Sequence, residues 1–238
     1  MLDKEQTLFE HLAELRQRII RSVVAIVACV IIAVGFSQPV FRFIMEQAKS
    51  DGVQLVQFTF ADAFLTQFKL AVIGGLVLAF PFVLYQIVAF IVPALKPNEK
   101  RILYLGLPFA TFMFGLGWAF GWFVVVPISK KFFLDISSLV GVTNQITPSA
   151  YVKFVLGICN PLGIAFQLPL LVLILARIGL VTATFLARVR KFAFLAIMVL
   201  AAVLSPPDII SMSIFLVPLY GLYEFSILLA RIAAPKNR

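Results

Sequence analysis

The spacing of charges limits this chain more than any other feature. Uncharged runs cover residues 22–41, 70–95, 102–129, 154–176, 192–207 and 209–223. The first four each hold at least 20 residues, enough for a helix to cross a hydrocarbon core about 30 Å thick. The fifth has about thirteen helical residues before Ser205-Pro206-Pro207, and the sixth is interrupted by Pro218 and then Glu224. Composition agrees: hydrophobic residues make up 62% of the 238 and charged residues 13%, where a soluble domain is about half apolar and about a quarter charged. The expectation is an all-α integral membrane protein of six transmembrane helices, the last two short. One membrane domain then covers 1–238, with spans near 20–38, 69–93, 102–127, 153–177, 192–205 and 209–229.

Orientation is read from Lys and Arg. Fourteen of the twenty lie in the N-terminal segment, the 96–101 loop, the 177–191 connection and the C-terminus. The positive-inside rule places both termini and those connections in the cytoplasm, with loops near 38–68 and 127–152 outside. The excess of positive charge is therefore orientation rather than a sign of nucleic-acid binding. The N-terminal segment carries no signal-peptide cleavage pattern, so the first apolar run is kept as a span. Prolines recur inside the spans (Pro81, Pro108, Pro161, Pro169, Pro218). Each frees backbone groups that neighbours or water must satisfy, and the expected shape is a concave, cupped bundle of bent helices.

Catalysis lacks its groups. His11 is the only histidine, and the two cysteines, Cys29 and Cys159, lie inside apolar runs without a CxxC. No metal-ligand cluster, phosphate-binding glycine loop or serine–histidine pair can be assembled, so neither an enzyme nor a cofactor is expected. Function is then sought in polar groups at membrane depth, which are costly there. Gln86, Gln167 and Glu224 qualify; amides often simply bridge helices, and Glu224 also reads as a water-reached carboxylate near a helix end. Asp208 reads first as the N-cap of the last helix.

The stretch His11-Leu12-Ala13-Glu14-Leu15-Arg16-Gln17-Arg18 stands out at the start of the first helix. Leu8, Leu12, Leu15 and Ile19 form a helical stripe, Thr7 and Glu10 make a capping box, and Glu14 precedes Arg18 by four residues. Those charges read either as a solvated helix end or as part of a site. Glu99, the one acid among Lys96, Lys100 and Arg101, falls on the same expected membrane face. Two carboxylates there suit paired guanidinium groups, because Arg–carboxylate hydrogen bonds are planar and bidentate.

Several blocks together resemble the TatC family, the multispanning core of the twin-arginine protein translocase. They are the 11–18 stretch; Pro81 with Leu84-Tyr85-Gln86; Phe90-Ile91-Val92-Pro93-Ala94-Leu95 with Glu99 and Arg101; Phe120 through Pro127; Gly163-Ile164-Ala165-Phe166-Gln167-Leu168-Pro169; and Ser205-Pro206-Pro207-Asp208. The resemblance covers essentially the whole chain. It implies a receptor in the prokaryotic cytoplasmic (inner) membrane for twin-arginine signal peptides of folded cargo, driven by the proton-motive force. Glu14 and Glu99 are the implied guanidinium-binding carboxylates, with Arg16, Phe90, Pro93 and Arg101 supporting them. Implied partners are single-span TatA/TatB-type subunits, the lipid bilayer and further copies of the chain in a receptor complex.

Two positions depart from the family pattern. Gln167 stands where the family commonly has glutamate, and the outer loop lacks a proline near Glu46-Gln47. An amide still hydrogen-bonds a partner helix but does not titrate. The competing reading is an ion-coupled small-solute transporter, which needs an ionisable group near the midplane. Glu224 is its only candidate.

Overall fold

The computed structural model describes residues 8–50, 54–57, 59–91, 97–139, 141, 145–204 and 209–233. The chain is almost entirely helical: α1 (Leu8–Ser50), α2 (Asp62–Ile91), α3 (Pro97–Phe120), a π-helical turn (Gly121–Val125), α4 (Val126–Leu139), α5 (Pro148–Ala165), α6 (Leu168–Ile178), α7 (Ala183–Arg188), α8 (Arg190–Leu204) and α9 (Ile209–Ala233). Five stretches among the described residues are long and apolar enough to cross a membrane: His11–Lys49, Asp62–Ile91, Gly106–Leu139, Pro148–Arg177 and Met212–Arg231. Large apolar side chains such as Val23, Val27, Ile31, Phe36, Phe123 and Val217 lie exposed along them. A water-soluble protein does not display so many, whereas lipid is their natural solvent.

The chain divides into two compact units. The first holds Met1–Gly52 and Gln57–Pro108, and it is built on the antiparallel pairing of α1 with α2. Ala71, Gly75 and Ala79 are buried at four-residue spacing on α2, a stripe of small residues that lets two backbones come close. Gly75 is where they meet: a Cβ there would sit 2.5 Å from the Cα of Val30. On α1 the facing residues Ala33, Ser37, Ile44 and Ala48 recur at the helical period.

The second unit holds Val53–Val56 and Phe109–Arg238. Its π-helical turn has a local cause. Pro127 has no N–H, and its ring would collide with the carbonyl of Phe123 in a regular helix. Widening the preceding turn, so that the Val126 N–H reaches Gly121 O, relieves that collision without ending the helix. Gly117 then packs directly on α5; a Cβ there would lie 2.8 Å from Leu162 O. Two short strands, β1 (Gln54–Leu55) and β2 (Gln145–Ile146), pair in parallel as Gln54↔Gln145 and Leu55↔Ile146. Thr147 caps α5 by accepting from the Ala150 N–H at 3.1 Å. Gly179, at φ 82°, ends α6 in the left-handed conformation that glycine tolerates best. Beyond it, Val172, Ala176, Leu186, Ile227 and Ala230 form one buried cluster joining α6, α7 and α9.

In three places the helices run beyond the expected spans. The first helix does not stop near 38; it continues through Pro39 to Ser50. One proline removes one rung from a long ladder and bends it rather than ending it. The expected outer loop near 127–152 is helical as far as Leu139, because Lys130 and Lys131 end the apolar run but suit a helix. Last, α8 is short, at 15 residues, but α9 runs for 25. Pro218 is absorbed within it, and the charge of Glu224 is met by a partner described below. The expected six-helix division rests on charge breaks, which mark where apolar runs stop and not where helices do.

Candidate functional site

His11, Glu14 and Arg18 follow one another at three- and four-residue spacing, so they share one face of α1. Gln86 and Phe90, four apart, share one face of α2. Because the two helices run antiparallel, these faces meet. The rings of His11 and Phe90 stack with centroids 4.3 Å apart and 18° between planes. One turn further in, Arg18 Nε donates to Glu14 Oε1 at 2.9 Å, and Arg18 Nη2 donates to the same oxygen. Arg18 Nη1 donates to Gln86 Oε1 at 3.3 Å. Gln86 is buried, and Glu14 and Arg18 are half-buried.

The carboxylate is unevenly used. Its Oε1 takes two N–H groups, whereas Oε2 is buried and has no hydrogen-bond partner among the described residues. A carboxylate accepts at both oxygens and prefers the two-pronged fork of a guanidinium across them. Glu14 is therefore a carboxylate held in place, already on a guanidinium, with half its acceptor capacity unspent.

The structure brings Glu14, Phe90 and Gln86 together, though Gln86 was expected to be an intramembrane amide apart from that group. Arg16 is exposed and lies two residues from Glu14, on another face of α1. Glu99 and Arg101 fall in the first turns of α3, which places their backbone but describes no side chain. Pro93 and Asp208 lie outside the described residues. In the second unit, Gln167 donates from Nε2 to Ala110 O at 3.0 Å, and its Oε1 is buried without a partner among the described residues. Glu224 accepts from Arg190 Nη2 at 2.8 Å through Oε2 and from the Tyr220 hydroxyl at 3.1 Å through Oε1. A carboxylate engaged this way on both oxygens is poorly suited to be a transporter's ion site. Among the described residues, no group of three or more His, Cys, Asp or Glu is placed to hold a metal ion.

Sequence reasoning singled out Glu14 but missed His11 and Arg18 as parts of a tertiary site. The signal was present in the shared helical face of 11, 14 and 18 and in the four-residue step from Gln86 to Phe90.

Long apolar helices, small-residue crossings and a few buried polar contacts define the class: a multi-pass helical membrane protein. The family profile "Sec-independent protein translocase protein (TatC)" matches residues 10–218. The TatC protein of Carboxydothermus hydrogenoformans is 38% identical over all of this chain and 98% of its own length. TatCy of Bacillus subtilis is 33% identical over 98% of this chain and 91% of its own. A solved structure described as "Crystal Structure of Twin Arginine Translocase Receptor- TatC" superposes with a TM-score of 0.84 at 32% identity, covering 94% of this chain and 99% of that one. The chain belongs to the TatC family, and so is a component of the twin-arginine, Sec-independent protein translocase, which works with other subunits.

Proposed function

We propose that this chain is the subunit that receives twin-arginine signal peptides, with Glu14 and Glu99 as the carboxylates for the two peptide guanidiniums. Arg16, Phe90, Pro93 and Arg101 support that site. With single-span TatA/TatB-type subunits, and with further copies of itself in a receptor complex, it passes folded cargo across the prokaryotic inner membrane on the proton-motive force. In this reading residues 1–238 form one membrane domain, crossing six times as a cupped bundle with both termini cytoplasmic. It catalyses no reaction, holds no cofactor and binds no nucleic acid.

One observation carries the reading. Glu14 is half-buried and accepts a guanidinium on one oxygen, with its second oxygen buried and unpartnered among the described residues. That is the chemistry an arginine-reading receptor needs. Support also comes from the related crystal structure, which is described as a receptor of this translocase.

The test is binding of a twin-arginine signal peptide to purified protein in detergent, against the same peptide with both arginines changed to lysine. Arginine preference that is lost in Glu14→Ala and in Glu99→Ala supports the reading. Equal binding of both peptides, untouched by either substitution, removes it.

A further inference from the structure

Basic side chains from three separate stretches of sequence gather at one end of the second unit. Ala176 of α6, Leu186 of α7 and Ala230 of α9 belong to one buried cluster. Arg177 and Arg231 directly follow the first and last of these, and Arg188 comes two residues after Leu186. Lys191 is in the first turn of α8, next to the Arg190 that reaches Glu224 on α9. Here α6 and α9 end and α8 begins. Arg177, Arg188, Lys191 and Arg231 are exposed, and none of them makes an ion pair among the described residues.

The acids are too few to balance them. Beyond Asp135 the sequence holds just Asp208 and Glu224. Glu224 is spent on Arg190, and Asp208 precedes the start of α9 whereas Arg231 lies in its last turn. Large apolar side chains stand among the cations: Phe185 is 54% exposed and Phe192 75%. The short helix α7 is two-faced, with Leu186 in the buried cluster and Phe185 turned out one helical step from Arg188.

We propose that this end of the second unit is a binding site for an anionic phospholipid. Its phosphate is met by Arg177, Arg188, Lys191 and Arg231, and its acyl chains lie against Phe185 and Phe192. The site is separate from Glu14, and the inference does not rest on the receptor reading.

Depth favours a lipid. Two of the membrane-crossing stretches, Pro148–Arg177 and Met212–Arg231, end on cations of this group, where hydrocarbon gives way to headgroups. In the proposed topology that is the cytoplasmic leaflet. Guanidinium groups take phosphate oxygens in pairs, and basic residues beside an anionic leaflet each add to its attraction. A soluble anion would answer the charge but leave two phenyl rings in water. A zwitterionic lipid would cover the rings but bring its own ammonium to four cations. A lipid with net negative charge meets both demands.

The experiment titrates full-length protein in uncharged detergent with phosphatidylglycerol, phosphatidylcholine or inorganic phosphate. Retained lipid is read by native mass spectrometry, and stabilisation by melting temperature. Wild type should hold phosphatidylglycerol at least about tenfold more tightly than phosphatidylcholine, at about fivefold per cation near an anionic surface. Combining Arg177→Gln, Arg188→Gln and Lys191→Gln should bring the two lipids close to parity. Combining Lys130→Gln, Lys131→Gln and Lys153→Gln removes equal charge at the opposite end of these helices and should leave the preference intact. The single variants Arg177→Gln and Arg231→Gln should each cut it severalfold, which keeps the test decisive if the triple variant does not fold. Phe185→Ser with Phe192→Ser should weaken both lipids together. Equal retention of the two lipids by wild type, or a preference that survives loss of Arg177, Arg188 and Lys191, overturns the site. Equal loss in both triple variants would reduce it to net charge, and stabilisation by inorganic phosphate matching that by phosphatidylglycerol would make it a soluble-anion site; either result ends the proposal.

Discussion

Among the described residues, two carboxylate–guanidinium pairs lie near helix ends, and they are built on opposite plans. Glu224 is joined by Arg190, 34 residues away on another helix, and each oxygen has its own donor, Arg190 Nη2 on one and the Tyr220 hydroxyl on the other. The rings around it are tied in as well: Tyr220 packs edge-on against Phe194, and the Tyr223 hydroxyl donates to Leu186 O. Glu14 is joined by a residue of its own helix, both donors fall on one oxygen, and the other oxygen has no partner among the described residues. The Glu224 pair is the more exposed, at 43% and 36% of side-chain area, against 19% and 21% for Arg18 and Glu14, although Arg190 Nε is itself buried without a partner among the described residues. Burial raises the cost of an unpaired acceptor, to about 1–3 kcal/mol for a neutral group and more for a charged one. The less satisfied carboxylate thus sits where dissatisfaction costs most. That pattern supports the proposed binding role of Glu14, while Glu224 has the pattern of a structural group.

The comparison breaks most sharply on Glu14→Ala. Truncating one member of a close charge pair typically costs about 2–5 kcal/mol of binding, so twin-arginine peptide affinity should fall at least thirtyfold, read by titration in detergent. Thermal stability should hardly move, since the lost contact is local to one helix. A large drop in melting temperature with unchanged affinity would make Glu14 another Glu224.

Next in size is the crossing that presents Arg18 to Gln86. Gly75→Val places a side chain inside the space of Val30, where even a Cβ would be 2.4 Å from Cγ2. Overpacking of this kind costs about 1–3 kcal/mol and pushes backbones apart. Both melting temperature and peptide affinity should fall together. The control is Gly157→Ala, where nothing lies within 4 Å of the added Cβ and neither quantity should change.

How much of this was legible in the sequence depends on the range of each interaction. The transmembrane helices could be read because long apolar runs permit little else, and the Glu14–Arg18 pair because i,i+4 geometry is local. Helices run past the expected spans to Ser50 and Leu139, where charges stop an apolar run without stopping a helix. The coupling of Arg18 to Gln86, 68 residues apart, and of Arg190 to Glu224, 34 apart, depends on which helix faces pack together. No local pattern encodes that. Gln86 was therefore read as an intramembrane amide, and Glu224 as a snorkelling carboxylate or a transporter's ion site.

The Glu224 pair makes a smaller prediction. Glu224→Gln keeps the shape and an acceptor for Tyr220 but removes the charge that Arg190 meets. With both side chains more than a third exposed, solvent screening holds the loss to about 1 kcal/mol or less. The readout is a modest fall in melting temperature that shrinks in high salt, with peptide affinity unchanged. A peptide-binding defect in this variant would undo the division of labour between the two carboxylates.

The smallest effect belongs to Gln167, which repeats in neutral form the half-use seen at Glu14. Its Nε2 donates inward to Ala110 O, and its buried Oε1 is the acceptor left over. A polar group on a partner helix that donated to Oε1 would complete it, whereas a glutamate there would set a carboxylate oxygen against the Ala110 carbonyl unless it held a proton. Gln167 is thus proposed as a docking point that never titrates, with proton coupling running elsewhere. Interhelical hydrogen bonds in membranes average about 0.6 kcal/mol, so Gln167→Leu should weaken association with a single-span subunit roughly threefold, measured by co-purification or energy transfer in liposomes. Peptide binding, proposed to rest on Glu14 and Glu99, should be untouched. Partner association and export both at wild-type level in Gln167→Leu would return the amide to an internal helix bridge.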